Sequence, residues 1–175
     1  SQADSLNIPR VNHASVLMAD GNILVTGGSG YYDILNSCEI YDYKNDEWRL
    51  TTPMKSKRYL HRLVLLPNNK ILAIGGWKNR SCEIFDPETE TWTYTDSLKD
   101  KHWDAYTVTV LKDGKVLICG GYYLTFDGNP SPTLNSCEIY DYETGKWSYA
   151  ASMHYKRSGH SATLLNNGNV LVAGG

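Results

Sequence analysis

The sequence predicts an all-β protein assembled from repeated four-stranded antiparallel sheets. Two observations carry this prediction. A block reading Ser-Cys-Glu-Ile, an aromatic residue and Asp begins at Ser37, Ser81 and Ser136, and a Trp follows its Cys by ten residues each time. Gly-Gly pairs end four hydrophobic segments at intervals of about 50 residues. Such a period indicates a repeat protein, in which each unit buries its faces against its neighbours.

Each repeat opens with two short apolar segments joined by a polar turn, which predicts a hairpin. The first segments, strand a, are Ala14–Met18, Arg62–Leu66, Tyr106–Leu111 and Ser161–Leu165. The second segments, strand b, are Ile23–Thr26, Ile71–Ile74, Val116–Cys119 and Val170–Ala173. Asn and Gly in the intervening turns supply the backbone conformations that tight reversals need. Because strand b is apolar at nearly every position, we expect both of its faces to be buried.

The Ser-Cys block predicts strand c, and the segment around each following Trp predicts strand d. No segment shows apolar spacing of 3.6, so essentially no helix is expected. Sheets buried on both faces fit a radial arrangement of blades, a β-propeller. The predicted fold class is therefore all-β, with three full four-stranded antiparallel blades and half of a fourth. The blades, called repeats 1 to 4, cover approximately residues 10–50, 58–95, 103–149 and 157–175.

These motifs resemble the kelch repeat. The resemblance is carried by the Gly-Gly pair after a hydrophobic strand, the Glu–aromatic–Asp strand and the Trp ten residues past the Cys. Residues 160–165 and 170–175 are similar to kelch units of the galactose oxidase central domain. The resemblance implies that residues 1–175 are one incomplete kelch-type propeller. Because a propeller closes with about four to eight blades, we expect either a longer six- or seven-bladed domain or a ring completed by another copy of the chain.

Residues at equivalent positions of the repeats are predicted to be structural. A Cβ at the end of strand b would obstruct close backbone approach or an unusual φ. A Trp on the outer strand fills the gap where neighbouring blades diverge. The residues assigned these roles are Gly27, Gly28, Trp48, Gly75, Gly76, Trp92, Gly120, Gly121, Trp147, Gly174 and Gly175.

Three glutamates, Glu39, Glu83 and Glu138, lie in otherwise apolar strands, where a buried carboxylate needs a partner. The predicted partner is the Arg of an Arg-x-x-His pattern, which begins at Arg10, Arg58 and Arg157. The Arg and His side chains are therefore interpreted as structural groups rather than metal ligands.

Four cysteines are present, and three of them, Cys38, Cys82 and Cys137, occupy the same position in successive repeats. Equivalent positions in stacked blades lie too far apart for a disulfide. Together with Cys119 they are predicted to be buried, free thiols. Free thiols leave the compartment open, cytoplasmic or secreted. If the protein is secreted, the Asn79-Arg80-Ser81 sequon is a candidate glycosylation site.

The b-to-c and d-to-a loops open on one side of a propeller and vary most between repeats, so they are where binding is expected. Repeat 3 departs furthest from the others, because Trp103 replaces the Arg of Arg-x-x-His and its loop from Tyr122 to Asn135 is the longest. Aromatic residues with Arg are typical of protein interfaces. The predicted binding residues are Tyr31, Tyr32, Arg58, Trp77, Arg80, Trp103, Tyr106, Tyr122, Tyr123, Tyr155 and Arg157.

Composition and motifs narrow the functional classes. The net charge of -2 gives no basic excess for nucleic acid, and no apolar run is long enough for a membrane span. No metal, phosphate or cofactor motif is found, and no catalytic residues, metal or cofactor are predicted. A non-catalytic scaffold that binds a protein is favoured. A carbohydrate-binding or self-assembling structural propeller is the alternative, and a carbohydrate-active enzyme or oxidase of the galactose oxidase type is the third class.

Overall fold

The computed structural model describes residues 4–125 and 132–175. The chain divides into two compact units, Ser1–Trp77 with Cys82–Tyr94 and Lys78–Ser81 with Thr95–Gly175. We call them unit 1 and unit 2 and describe each by itself. In the described ranges every regular element is a β-strand, and no helix is long and apolar enough to cross a bilayer.

Unit 1 contains two four-stranded antiparallel sheets whose strands follow chain order. The sheet of repeat 1 consists of β1 (Ala14–Leu17), β2 (Ile23–Thr26), β3 (Cys38–Asp42) and β4 (Glu47–Thr51). The sheet of repeat 2 consists of β5 (Arg62–Leu65), β6 (Ile71–Ile74), β7 (Cys82–Asp86) and β8 (Thr91–Tyr94). The first strands, β1 and β5, are neighbours.

Unit 2 contains a four-stranded sheet and a two-stranded hairpin. The sheet of repeat 3 consists of β9 (Thr107–Val110), β10 (Val116–Cys119), β11 (Cys137–Asp141) and β12 (Lys146–Ala150). The hairpin of repeat 4 consists of β13 (Ser161–Leu164) and β14 (Val170–Ala173). These sheets confirm the predicted all-β class with three four-stranded sheets and half of a fourth.

The first strand of each repeat ends earlier than predicted. Met18, Leu66, Leu111 and Leu165 belong to the turns, where each accepts and donates backbone hydrogen bonds with the residues that reverse the chain. In repeat 3 the strand also begins one residue later than predicted, at Thr107. These are differences at element ends, and the four predicted b strands have the observed bounds.

The core of unit 1 lies between its two sheets. Both faces of β6 are buried along its whole length, which explains why that segment is apolar at every position. The core cluster consists of Met18, Leu24, Cys38, Ile40, Met54, Ile71, Ala73, Phe85 and Trp92. Burial of this apolar surface from both sheets is the main stabilising contribution to the unit.

Each predicted Trp stacks on the aromatic residue opposite it in the neighbouring strand. Trp48 faces Tyr41, Trp92 faces Phe85 and Trp147 faces Tyr140. The ring centroids are 5.1, 5.0 and 5.1 Å apart, in tilted geometry. Aromatic pairs at this distance contribute about 0.5–1.5 kcal/mol beyond the area they bury.

Candidate functional site

A buried glutamate in the third strand of each full sheet holds the segment that leads into the first strand. In repeat 2, Glu83 accepts hydrogen bonds from the backbone N–H groups of Lys55 at 2.7 Å and Ser56 at 3.0 Å. Its Oε1 also lies 2.8 Å from Nη2 of Arg58. Glu83 therefore ties the loop that leads into β5 to the third strand of the same sheet.

Arg58 and Glu83 form an ion pair in which neither side chain is exposed. Arg58 Nη1 also donates to the carbonyl of Gly75 at 2.8 Å. In repeat 1, Arg10 and Glu39 form the equivalent pair at 2.8 Å. These contacts confirm the predicted partners of both glutamates.

The pKa of Glu39 shows the balance in such a pair. Burial acts to raise the pKa of this carboxyl, but Arg10 and the amides of Asn7 and Ile8 outweigh it and hold the pKa below its usual value. The carboxylate therefore stays ionised inside the sheet.

The predicted partner of the third glutamate was wrong, because Glu138 pairs with His102 and not with Arg157. His102 Nε2 lies 3.3 Å from Glu138 Oε1, and both side chains are buried. His102 Nδ1 lies 2.5 Å from the carbonyl oxygen of Gly120, the position that an Arg nitrogen occupies in the other repeats. Arg157 instead donates to the carbonyl of Gly174.

One inserted residue explains the error. In repeat 3 the carboxylate accepts from the amides of Lys99 and Asp100, and His102 follows two residues later. Arg58 follows Ser56 by the same interval. The extra residue of repeat 3 thus lies between His102 and the first strand. Counting residues back from that strand therefore assigns Trp103, one residue too late, to the Arg position.

Asp100, His102 and Glu138 each present one ligand atom, and these atoms lie within 4.8 Å of one another. Imidazole and carboxylate could together hold a divalent cation. Both oxygens of Glu138, however, already accept backbone amides. In repeat 2 the guanidinium of Arg58 occupies the corresponding place beside Glu83, so the contact between His102 and Glu138 is the equivalent structural contact of repeat 3. That the chain holds no metal stays a prediction.

A second recurring position of the repeat lies directly before the first strand. In repeat 2 this position is a buried histidine. His61 Nε2 lies 2.7 Å from Oγ1 of Thr26. Burial, followed by the charges of Arg58, Arg62 and His13, lowers the pKa of His61 to about 3. His160 in unit 2 has a pKa lowered by burial in the same way.

We expect unit 1 to lose stability as the pH falls below 6.5. The unfolded chain binds a proton at His61 near its ordinary pKa of 6.5, whereas the folded chain binds it only near 3. Stability is therefore complete above 6.5 and declines by up to about 1.4 kcal/mol per pH unit between these values. Urea unfolding between pH 7 and 5 measures the slope, and His61→Gln, which does not titrate, should reduce it. An unchanged slope in that variant would contradict the assignment.

An aromatic cluster lies where the chain enters and leaves the sheet of repeat 3. The rings of Trp103 and Tyr123 meet edge to face, with centroids 5.8 Å apart. Lys101 Nζ lies 5.8 Å from the centroid of the Trp103 ring and 5.0 Å from that of Tyr123. We call Lys101, Trp103 and Tyr123 the aromatic site. Both rings are half-buried, so each keeps part of its surface open to a ligand.

Backbone pairing fixes the aromatic site. Asp104 and Tyr122 form an antiparallel bridge in which Tyr122 N donates to the Asp104 carbonyl at 3.1 Å. Trp103 N donates to the Tyr122 carbonyl at 3.2 Å. The Tyr122 hydroxyl donates to Asp104 Oδ2 at 3.2 Å, and burial together with this carboxylate raises the pKa of Tyr122. The two loops are therefore joined by both backbone and side-chain hydrogen bonds.

The other predicted binding residues differ in how much of their surface is exposed. Tyr31, Tyr32 and Tyr155 are exposed, with 87%, 102% and 73% of their surface accessible, and Trp77 stacks on Tyr59 with centroids 6.0 Å apart. Arg80 donates to the Lys99 carbonyl at 2.9 Å.

Arg58 and Tyr106 are buried and offer no surface to a ligand. Arg157 is half-buried. The tip of the long loop, with Phe126 and Asp127, lies outside the described residues.

Two members of these ring clusters, Tyr59 and Lys101, are not among the predicted binding residues. Tyr59 directly follows Arg58, and Lys101 directly precedes His102. That adjacency was visible in the sequence, but the contact with a ring on another loop was not.

A family model described as the KLHDC2/KLHL20/DRC7 Kelch-repeats domain matches residues 2–175. The chain belongs to the kelch-repeat family. Human (Homo sapiens) Kelch-like protein 15 is 29% identical over 195 residues, which cover 99% of this chain and 31% of that protein. Kelch-like protein 15 of Danio rerio is 27% identical over 191 residues, 97% of this chain and 31% of its own length. The kelch chain thus spans about a third of these curated relatives.

The solved structure of YjhT superposes with a TM-score of 0.73 at 20% identity, covering 91% of this kelch chain and 57% of that chain. This similarity shows the fold. The kelch-type β-propeller inferred from the repeats is therefore confirmed. The approximate blade boundaries, and whether more chain or a second copy completes the ring, stay predictions.

Proposed function

We propose that this kelch chain is a non-catalytic interaction module that binds a segment of a partner protein through its b-to-c and d-to-a loops. The observation that carries the proposal is the aromatic site. Trp and Tyr are the residues that most often dominate binding energy at protein interfaces. Here they are supported by paired backbone rather than by a free loop, so little ordering cost falls on binding.

The charge at the aromatic site supports a polar, extended partner segment. Lys101 is exposed above both rings and can reach a carbonyl or carboxylate of a bound chain while its stem covers the aromatic surface. Arg80, in the same unit, adds a second cationic side chain from another loop. Aromatic anchors surrounded by cations suit a peptide better than a purely apolar ligand.

The buried ionisable groups support a non-catalytic role. Among the described residues, the buried carboxylates are those of Glu39, Glu83 and Glu138, and all three accept hydrogen bonds from backbone amides of the entering loops. A general base must reach a substrate proton. Carboxylates enclosed in this way stabilise the loops instead.

Replacing Trp103 and Tyr123 together with Ala is expected to weaken partner binding by at least about 100-fold, or about 2.8 kcal/mol, since a single hot-spot residue already contributes about 2 kcal/mol or more. The partner is first identified by quantitative capture and mass spectrometry, and its affinity is then measured by calorimetry. Tyr43→Ala is the matched control, because Tyr43 is an exposed Tyr in the turn between β3 and β4.

The variants must also share the urea midpoint of the parent chain. Unchanged affinity of the folded double variant would reject the aromatic site. Binding of the parent chain to a glycan array, with no protein partner of measurable affinity, would reject the proposed function in favour of carbohydrate recognition.

A further inference from the structure

Two thiols face each other in the sheet of repeat 3. Cys119 is the last residue of β10 and Cys137 is the first residue of β11, and they are register partners in the antiparallel ladder. The next pair along is hydrogen-bonded, because Gly120 N donates to the Ser136 carbonyl at 3.0 Å. Cys119 and Cys137 therefore form a non-hydrogen-bonded pair, the arrangement that brings opposite side chains closest together.

Among the described strand pairs, two cysteines face each other in repeat 3. Cys38 faces Thr26 in repeat 1, and Cys82 faces Ile74 in repeat 2. Comparing equivalent positions correctly places Cys38, Cys82 and Cys137 in three different sheets. It overlooks Cys119, which faces Cys137 within the same sheet. The Cα separation typical of such a pair, about 4.5 Å, falls within the range that a disulfide spans.

The two thiols have unequal acidity. The interaction between the two thiols lowers the pKa of Cys137 despite its burial, and it raises the pKa of Cys119, where burial acts in the same direction. His102 also contributes to lowering the pKa of Cys137. Cys38, which has no thiol opposite, has a pKa raised to about 12 by burial. Cys137 is thus the better nucleophile of the pair.

Both cysteines border a cleft in unit 2. Cys119 and Cys137 are both nearly enclosed, but both line a cleft of about 430 Å³ in unit 2 that Leu111 and Met153 also border.

We propose that Cys119 and Cys137 are a redox-active cross-strand dithiol that a small-molecule disulfide oxidises to an intramolecular disulfide. The Cys137 thiolate attacks one sulfur of the oxidant, forming a mixed disulfide and releasing one thiolate. Cys119 then loses its proton and attacks the Cys137 sulfur, which releases the second thiolate. Two electrons pass to the oxidant, and the two protons of the cysteines end on the two released thiols.

The new bond would lie at the base of the loop that contributes Tyr123 to the aromatic site. It joins the residues on either side of the segment 120–136, which carries Tyr122 and Tyr123. Oxidation would therefore add a covalent bond beside the Gly120–Ser136 hydrogen bond that already joins the two strands there. The redox chemistry of the pair is independent of whether the loop binds a partner, so failure of one leaves the other standing.

Glutathione disulfide added to the native chain, followed by alkylation with N-ethylmaleimide and peptide mass spectrometry, tests the proposal. We expect loss of two hydrogen atoms per chain, a Cys119–Cys137 cross-link, and alkylation of Cys38 and Cys82. Cys119→Thr, which reproduces the Thr–Cys pair of repeat 1, should abolish the cross-link. Cys38→Ala, the control, should form it as the parent does.

Far-ultraviolet circular dichroism confirms that each variant is folded during oxidation. The proposal is overturned if the native chain keeps four free thiols under conditions that oxidise dithiothreitol. It is equally overturned if the cross-link forms only after urea is added, if it joins two chains, or if Cys137 stops at the mixed disulfide.

Discussion

Replacing Arg58 with Met is expected to lower the free energy of unfolding by about 3–5 kcal/mol, the range measured when one partner of a buried ion pair is removed. The substitution leaves Glu83 ionised in the sheet, where its side chain is not exposed to water. It also leaves the Gly75 carbonyl without the Nη1 donor that lies 2.8 Å away. Met keeps much of the volume of the Arg stem, so most of the loss is electrostatic.

A double-mutant cycle separates the pair from its surroundings. Glu83→Gln removes the charge and keeps one oxygen, which can accept one of the two amides that Glu83 accepts on separate oxygens, Lys55 on Oε2 and Ser56 on Oε1. The double variant Arg58→Met/Glu83→Gln should therefore be more stable than Arg58→Met alone by at least about 1 kcal/mol. Urea unfolding followed by Trp fluorescence measures each corner of the cycle.

The exposed pair Arg49–Glu90 in the same unit supplies the control. Its side chains are 50% and 34% exposed, so Arg49→Met should cost only about 0–1 kcal/mol. If Arg58→Met and Arg49→Met destabilised the chain equally, the buried pairs would not be what holds the entering loops to the sheets.

The repeat pattern allowed the sheets and the partners of two of the three buried glutamates to be predicted. Strand order and the paired aromatic residues follow from apolar segments, turns and Trp positions that recur at fixed spacing. Arg10 and Arg58 could be matched to Glu39 and Glu83 because a buried carboxylate requires a cation and each repeat supplies one. These inferences depend only on what every repeat shares.

Features particular to one repeat were harder to predict. His102 takes the Arg position through a one-residue insertion, which a count along the chain assigns to the wrong residue. The contact between Lys101, Trp103 and Tyr123 depends on two loops that backbone pairing brings together. The dithiol depends on strand register, which sets Cys119 opposite Cys137. Each of these features is a contact between different loops or strands. A single sequence shows the residues involved but not which of them lie side by side.

Gly120→Ala is expected to destabilise unit 2 by about 2–5 kcal/mol, which combines two costs. Gly120 has a φ of 63°, a left-handed conformation that costs other residues about 1–2 kcal/mol. A Cβ there would lie 2.5 Å from the Arg157 carbonyl oxygen and 2.7 Å from Cε1 of His160. Overpacking of this kind adds about 1–3 kcal/mol.

Gly159→Ala isolates the first cost, because Gly159 has a φ of 65° and no atom within 4 Å of a new Cβ. That variant should lose only about 1–2 kcal/mol. The difference between the variants measures how closely the backbone of repeat 4 approaches the end of β10, where the Arg157 carbonyl also accepts a 2.8 Å hydrogen bond from Gly121. Equal losses by urea unfolding would show that the Gly-Gly pair is required for its φ alone, and that the approach of the two repeats tolerates a side chain.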